Sequence, residues 1–352
     1  MSPDVVVLAV LLLALTLYAV LGGADFGAGV WEFNTALQAS ERERALLYRA
    51  IGPVWEANHV WLIFALVLLQ TAFPRALAAI SQALWLPLFL ALFGIVFRGA
   101  GFAFRSYAAG AVAQQQIWGA VFALASTAAP FFLGAAAGAL ASGRLEMTPD
   151  GRFTGSFLTG WISPLSIFSA FFAVGVCSYL AAVYLTREGA QINDAELTHL
   201  WRARALATGA WMGILAFAGI AIIASDAPVL WQAFRARGLP LVAASVVTGF
   251  GSLWALWRER FNLAVVGAAS TVVCVIAGWG ISQYPVLVPP RLTVELAKSP
   301  EEILRVVLWV VSGGAVLLVP ALGLLFALFK RGATVGSRAT DSGQAMEGGR
   351  ET

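Results

Sequence analysis

Four ionisable side chains of this sequence, Asp25, Glu56, His59 and Arg98, have the types and spacing that proton transfer inside a membrane requires. Glu56 and His59 lie at the head of an apolar run, in IGPVWEANHVWLIF (51–64), and Asp25 lies between glycines. An acid or an imidazole placed in hydrocarbon costs several kcal/mol, so such groups commonly mark proton pathways. Carboxyl and imidazole groups can exchange protons near neutral pH, and Arg98 supplies a matching positive charge.

The alternative for these polar groups is a purely structural role at the membrane surface. Long side chains such as those of Arg98 and Arg105 can extend to water and lipid headgroups. The glycines around Asp25, in LGGADFGAG (21–29), are typical of helices that pack closely without any chemistry. The sequence alone allows both interpretations.

The ligand content of the chain does not favour a redox centre of its own. The sequence has two histidines, and one of them, His199, lies in AELTHLWRAR, a polar stretch that predicts a solvated loop. A multi-haem site needs more axial ligands than this. Cys177 and Cys274 lie in apolar runs without CxxC or zinc-type spacing. The sequence therefore predicts no catalytic, cofactor or metal site within the chain itself.

The composition places these residues in a membrane. Of the 352 residues, 60% are hydrophobic and 12% are charged, against roughly 25% charged in soluble domains. The formal charge of +3 gives no reason to expect nucleic acid as a partner. The predicted fold class is all-α, a polytopic membrane protein of about nine transmembrane helices whose first helix is retained. The predicted spans are 5–31, 53–73, 78–98, 115–141, 160–186, 206–225, 239–257, 262–283 and 304–329.

Charge in the connections predicts the orientation of the chain. With nine spans, the side that holds the C-terminus carries fourteen Lys and Arg residues, and the side that holds the N-terminus carries eight. The positive-inside rule then places the C-terminus in the cytoplasm and the N-terminus outside. Residues 1–330 are predicted to form a single transmembrane domain, and the polar segment 331–352 is predicted to be a disordered cytoplasmic tail.

These helices are expected to bring the ionisable groups together. Asp25 lies 20 residues after Val5, or about 30 Å along a helix, so it is expected near the cytoplasmic end of the first span. Glu56 and His59 are three residues apart and share a helix face just inside the same end of the second span. Arg98 is predicted to end the third span on that side.

Five blocks of the sequence resemble subunit II of the cytochrome bd-type quinol oxidases. The resemblance covers about residues 5–330, and the block with tryptophan–acid–x–asparagine before valine–tryptophan–leucine is the most specific. The blocks are GGADFGAG (22–29), IGPVWEANHVWLIF (51–64), FRGAGFAFRS (97–106), ISPLSIFSAFFAVGV (162–176) and GISQYPVLVPP (280–290).

The resemblance implies a two-subunit enzyme of the bacterial cytoplasmic (inner) membrane that oxidises quinol and reduces oxygen to water. In that family, subunit I holds haem b, haem d and the quinol site. Subunit II carries no haem, stabilises subunit I and supplies proton access from the cytoplasm. Some members hold a structural quinone in an apolar cleft of subunit II, and a small accessory subunit and membrane lipid are further expected partners.

The resemblance also assigns roles to single residues. Asp25 matches the family's second acid of helix 1, Glu56 matches its helix 2 aspartate, and Arg98 matches the arginine after helix 3. Glu56 is one methylene longer than that aspartate, and Ala57 replaces a common Gly. Two further positions depart from the family pattern. Gly22 stands where the first acid of helix 1 is expected, and His59 stands where many members have Gln or Glu. His59 is therefore expected to compensate for the missing acid.

A free-standing proton-coupled transporter is the alternative function. Such a protein should show inverted repeats and broken helices near the membrane midplane. The acids in this sequence cluster at one end of the predicted helices, which favours the oxidase subunit. A neighbouring gene for a haem-binding membrane subunit, or co-purification with haem, would separate the two.

Overall fold

A computed structural model of the chain describes residues 2–35, 41–51, 55–107, 112–148, 150, 152–156, 158–318 and 320–321. Within the helices, the side chains of a few residues, Glu56 among them, lie outside this description. The predicted tail, 331–352, also lies outside it. Nearly all of the described residues are helical, so the predicted all-α fold class is confirmed.

Helices follow one another along the chain, with a small β-hairpin near its end. A π-helical turn at Tyr18–Gly22 joins α1 to α2, so the first helix is continuous. A second such turn, at Phe234–Gly238, joins α10 to α11. The elements are α1 (Pro3–Leu17), α2 (Gly23–Thr35), α3 (Glu41–Ile51), α4 (Trp55–Ala72), α5 (Pro74–Ala83), α6 (Trp85–Tyr107), α7 (Val112–Ser142), α8 (Pro164–Gln191), α9 (Ala195–Asp226), α10 (Pro228–Ala233), α11 (Leu239–Trp257), α12 (Phe261–Gln283), β1 (Val286–Val288), β2 (Leu292–Thr293), α13 (Val294–Ala297) and α14 (301–318).

The described part of the chain contains seven helical segments that are long and apolar enough to cross a membrane. An eighth arises if α4 and α5, which are bent by 117° at Phe73, count as one span. Helix α14 is not among these segments, although it exposes Trp309 and Val310. The fold is thus a polytopic helical bundle, whereas the number of nine spans and the sides of the two termini stay predictions.

The bounds predicted for the third span, 78–98, are wrong. Helix α5 is separate, and α6 begins only at Trp85 and continues to Tyr107. Pro87 lies in the first turn of α6, where its missing N–H removes no helical hydrogen bond, so the proline is compatible with this later start. Helix α6 therefore runs nine residues past Arg98, or about 14 Å.

The polar stretch around His199 is helical, so the loop predicted there is wrong. Helix α8 ends at Gln191 and α9 begins at Ala195, which leaves a connection of three residues. The Asp194 carboxylate caps α9, because it accepts a hydrogen bond of 3.1 Å from the Leu197 backbone N–H. The charged residues that suggested a loop belong to helix ends, and His199 is exposed there, as expected.

Two glycines of α2 determine how closely the neighbouring helices approach. A Cβ atom at Gly27 would overlap the Cys177 carbonyl of α8, and one at Gly29 would overlap the Ser126 side chain of α7. Helix α2 is therefore held between α7 and α8. The close packing expected of these glycines is confirmed, and the same packing surrounds Asp25 with protein.

Candidate functional site

Asp25 and Arg98 form an ion pair in the interior of the bundle. A guanidinium nitrogen of Arg98, on α6, contacts Oδ1 of Asp25, on α2, and the two side chains are only 1% and 3% exposed. The guanidinium also lies 5.0 Å from the ring centre of Phe26 and 5.3 Å from that of Phe122. Among the described residues, a carboxylate and two aromatic faces thus contact the cation, and such contacts stabilise charge away from water.

This pair lies deeper than the sequence predicted. Arg98 was expected to end its helix, but α6 continues past it. The alternative of a snorkelling Arg98 is wrong, because its side chain is buried and paired within the protein. An apolar, glycine-containing segment that ends in Arg105 and Tyr107 resembles the rim of a membrane span, so hydrophobicity alone did not reveal that the helix continues.

His59 lies beside the same pair. Its ring centre is 6.0 Å from that of Tyr18 and 5.8 Å from that of Phe26. The preceding residue, Asn58, is buried and its amide donates a hydrogen bond of 3.3 Å to the Leu21 carbonyl, which fixes α4 against the π-helical turn. The structure therefore brings together three of the four predicted residues, Asp25, Arg98 and His59.

The position of Glu56 is described only for its backbone. Glu56 lies in the first turn of α4, three residues before His59, but its side chain is outside the described set. The predicted sharing of one helix face with His59 stays a prediction.

Several buried polar atoms around the pair make no hydrogen bond to another described residue. They belong to four residues and are Oδ2 of Asp25, both ring nitrogens of His59, the Tyr18 hydroxyl and the Ser126 hydroxyl. A buried polar atom left without a partner costs about 1–3 kcal/mol. Such atoms in one place are typical of sites that bind or transfer something polar.

Sequence reasoning missed a second ion pair, between Glu32 of α2 and Arg105 of α6. Its side chains are 11% and 18% exposed, so it is less buried than the first. Glu32 follows Asp25 by seven residues, and Arg105 follows Arg98 by seven. That shared spacing of two helical turns was the signal in the sequence that could have revealed the pair.

Charged and aromatic contacts fix the neighbouring helices at this end of the bundle. The Trp31 indole N–H donates to the Ser178 carbonyl at 2.8 Å. The Arg204 guanidinium lies 4.6 Å from the ring centre of Trp201 and 3.3 Å from the carboxylate of Glu43. These contacts attach α3 to α9 and α2 to α8.

No described residues form a group of three or more His, Cys, Asp and Glu side chains that could hold a metal ion. An apolar cavity of about 120 Å³ lies between α1, α4 and α12, below the roughly 300–1,000 Å³ of ligand pockets. Its lining residues are Leu11, Leu15, Leu62, Ala65, Leu66, Leu69, Ile80, Leu140, Trp279, Gln283 and Leu287. The structural quinone suggested by the resemblance stays a prediction.

Comparison with known proteins gives consistent matches. A family model described as cytochrome bd terminal oxidase subunit II matches residues 3–329. The chain is 27% identical over 342 residues to cytochrome bd-I ubiquinol oxidase subunit 2 of Escherichia coli K12, covering 86% of each protein. It is 33% identical over 114 residues to cytochrome bd ubiquinol oxidase subunit 2 of Bacillus subtilis, covering 32% of this chain and 33% of that protein.

A solved structure has the same fold. The structure of bd oxidase from Geobacillus thermodenitrificans contains a chain that superimposes with a TM-score of 0.74 at 23% sequence identity. The match covers 94% of this chain and 99% of that one.

Proposed function

The chain belongs to the cytochrome bd terminal oxidase subunit II family, and from this premise we propose that it supplies the proton-uptake route of its oxidase. Membership makes it a subunit of a quinol oxidase and a multi-pass protein of the bacterial inner membrane. The proposed route starts on the cytoplasmic side and uses Asp25, Glu56, His59 and Arg98. The free-standing transporter is no longer favoured, because the family match spans nearly the whole chain.

The partner in this proposal is the haem-bearing subunit I. When bound there, haem b and haem d supply the electron transfer and oxygen chemistry, and the quinol is oxidised by the same subunit. The present chain carries no haem in this proposal and stabilises its partner. A small accessory subunit and a structural quinone remain further candidates from the family resemblance.

The observation that carries the proposal is the buried pair of Asp25 and Arg98. Reduction of one oxygen molecule to two waters consumes four electrons and four protons, and these protons must reach a buried site. A bare proton cannot enter hydrocarbon, so titratable side chains with water must carry it. Asp25 is an acid within the bundle, and Arg98 beside it holds the carboxylate in a fixed position.

His59 and Glu56 take the neighbouring positions in the route. The Phe26 ring contacts both the His59 ring, at 5.8 Å, and the Arg98 guanidinium, at 5.0 Å. The ring nitrogens of His59 can accept and donate a proton. Glu56 lies in the first turn of the same helix. The orientation that we propose, with the C-terminus in the cytoplasm, places the start of α4 on the side from which protons are taken.

The test is Asp25→Asn in the complete two-subunit oxidase. Asparagine keeps an oxygen that can accept a hydrogen bond from Arg98, but it cannot be protonated. Because Arg98 then lacks its buried counter-charge, we expect a reduced yield of the complex. In the complex that remains, oxygen consumption per haem should be at least tenfold slower, equal to about 1.4 kcal/mol on the limiting barrier. Glu56→Gln should keep its haem content and slow oxygen consumption to the same extent, and His59→Gln should have a milder effect. Oxygen uptake with excess quinol and haem spectra are the measurements.

Asp226→Asn is the matched control. Asp226 is also a buried carboxylate paired with an arginine, Arg144, and it accepts a hydrogen bond from the Leu165 backbone N–H at 3.0 Å. Asparagine can still accept that bond, so turnover should stay at the wild-type level. Wild-type turnover across pH 6–9 in haem-replete Asp25→Asn and Glu56→Gln oxidases would refute the proposed route.

A further inference from the structure

The two ion pairs of α2 and α6 form a ladder. Asp25 pairs with Arg98 and Glu32 pairs with Arg105, so the same step of seven residues separates the pairs on both helices. Equal steps in the same direction mean that the two helices run parallel here. Seven residues correspond to two turns, or about 10.5 Å.

Exposure increases along the ladder towards the ends of both helices. The side chains of Asp25 and Arg98 are 3% and 1% exposed, whereas those of Glu32 and Arg105 are 11% and 18% exposed. Helix α2 ends three residues after Glu32, and α6 ends two residues after Arg105. Glu32 is therefore the acid closer to the aqueous edge, and Asp25 is the inner acid.

Helix α7 places a hydroxyl between the two rungs. Ser126 is fully buried, and its side chain occupies the space over Gly29 of α2. Gly29 lies four residues after Asp25 and three before Glu32, so all three face the same side of α2. The Ser126 hydroxyl makes no hydrogen bond to another described residue. A side chain at residue 29 would fill the space that this hydroxyl occupies.

We propose that Glu32 collects protons at the outer rung and passes them to Asp25 by way of the Ser126 hydroxyl. This inference rests on the proposed function, because it extends the same uptake route outwards by two turns. Protonated Glu32 releases its proton towards Ser126, whose hydroxyl can accept one proton and donate another. The carboxylate of Asp25 receives the donated proton, and Glu32 is reprotonated from water. Each cycle moves one proton and no electrons.

A gap of about 10.5 Å is too long for a direct hydrogen bond between the acids. Ser126 lies between the two acids and shortens each step of the transfer. In this proposal, internal water molecules carry the proton across the remaining gaps. A buried water molecule needs two to four polar partners. The carboxylates, the serine hydroxyl and the Arg105 guanidinium supply those partners. Arg105 also orients the Glu32 carboxylate and limits its movement.

The test uses the complete oxidase with two variants that remove the relay at different points. Glu32→Gln/Arg105→Gln removes the outer acid together with its cation, so that no buried charge is left unpaired. Ser126→Ala removes the hydroxyl without changing any charge. We expect both to keep full haem and to slow oxygen consumption threefold to tenfold at pH 8–9, with a smaller deficit at pH 6, where protons are more abundant.

Conservative variants and a control separate this relay from a structural role. Glu32→Asp and Ser126→Thr keep a carboxyl and a hydroxyl, and each should retain most of the turnover. Glu43→Gln removes another buried, arginine-paired acid at the same end of the bundle but outside the ladder, and it should have the wild-type pH profile.

The outcomes are distinguishable from those for the proposed function. If Asp25→Asn slows turnover while either the Glu32/Arg105 double variant or Ser126→Ala has wild-type turnover at every pH, the relay is wrong and the inner route stands. If one of these two relay variants loses haem, the pH profile of the other variant tests the relay. If Asp25→Asn also has wild-type turnover, both proposals fail together.

Discussion

Two regions of the bundle place polar side chains between helices, and they do so in different ways. In one of them, inside the bundle between α8, α11 and α12, neutral hydroxyls make contacts from helix to helix. The Tyr179 hydroxyl donates to Ser252 Oγ at 2.7 Å, and Ser252 donates to the Ala264 carbonyl at 2.8 Å. Thr271 and Thr248 are joined at 3.0 Å. Each of these hydroxyl donors has an acceptor within the protein.

The region between α2, α6 and α7 is charged by comparison, and its hydrogen bonding among the described residues is incomplete. It contains the two ion pairs and several buried polar atoms without a hydrogen bond to a described residue, including Asp25 Oδ2 and the Ser126 hydroxyl. Closed hydroxyl networks hold helices together at low cost. A buried carboxylate oxygen without a hydrogen bond to a described residue, such as Asp25 Oδ2, is costly, and for this reason we propose proton transfer in this region.

Arg98→Met should have the largest effect and would most directly test this contrast. It removes the cation that pairs with Asp25 and leaves a buried carboxylate, which costs about 3–5 kcal/mol. We expect most of the complex to be lost, measured as the yield of haem-containing oxidase from membranes. Adding Asp25→Asn should restore part of the yield, since no charge is then left unpaired. A full yield of the single variant would contradict the burial of the pair.

Tyr179→Phe tests the neutral region and should have a much smaller effect. It removes one hydroxyl, while Ser252 keeps its bond to the Ala264 carbonyl. Hydrogen bonds between transmembrane helices are worth about 0.6 kcal/mol on average. The unfolding temperature of the solubilised complex should fall slightly, and oxygen consumption should be unchanged. A loss of turnover would show that the neutral region is not merely structural. The functional difference between the neutral and the charged region would then be wrong.

Asp194→Asn should have the smallest effect. It removes a paired charge outside both regions, and so tests whether loss of any ion pair slows turnover. Asp194 lies outside the spans, where the Leu197 backbone N–H and the Arg42 guanidinium lower the pKa of its carboxyl group. A carboxyl group with a lowered pKa stabilises the folded state above the unfolded value of about 3.9, and this stabilisation is lost as the pH falls through the folded value. The variant should unfold at a slightly lower temperature at pH 7. The difference should start to shrink below about pH 4 and disappear once the pH is below the folded value. A change in turnover would contradict this assignment.

The sequence predicted much of the site because rare residues are informative in an apolar chain. Asp25, His59 and Arg98 were identified by their polarity and by the family blocks, and the structure places them together. The all-α membrane fold followed from composition in the same way. These predictions depend only on which residues are costly to bury, and that can be read directly from residue type.

Depth and pairing could not be predicted in this way. Helix α6 continues past Arg98 through a segment whose glycine and arginine residues resemble a loop. Helix α9 likewise begins in a charged stretch that resembles a loop. Glu32 lies at the end of an apolar run, where acids are ordinary. Only the position of Arg105 on the neighbouring helix makes this residue part of a pair. Hydrophobicity locates the membrane core, but partners on other helices determine how far a helix extends.

The ladder also has a consequence for how the protein is made. Asp25 and Glu32 are each separated by 73 residues from the arginine that pairs with them. At a synthesis rate of about 5–20 residues per second, each acid leaves the ribosome about 4–15 seconds before its arginine. During that interval the first helix carries two acids without these cations, which disfavours its stable release into lipid. We therefore expect the nascent first helix to stay beside the insertion machinery until α6 arrives.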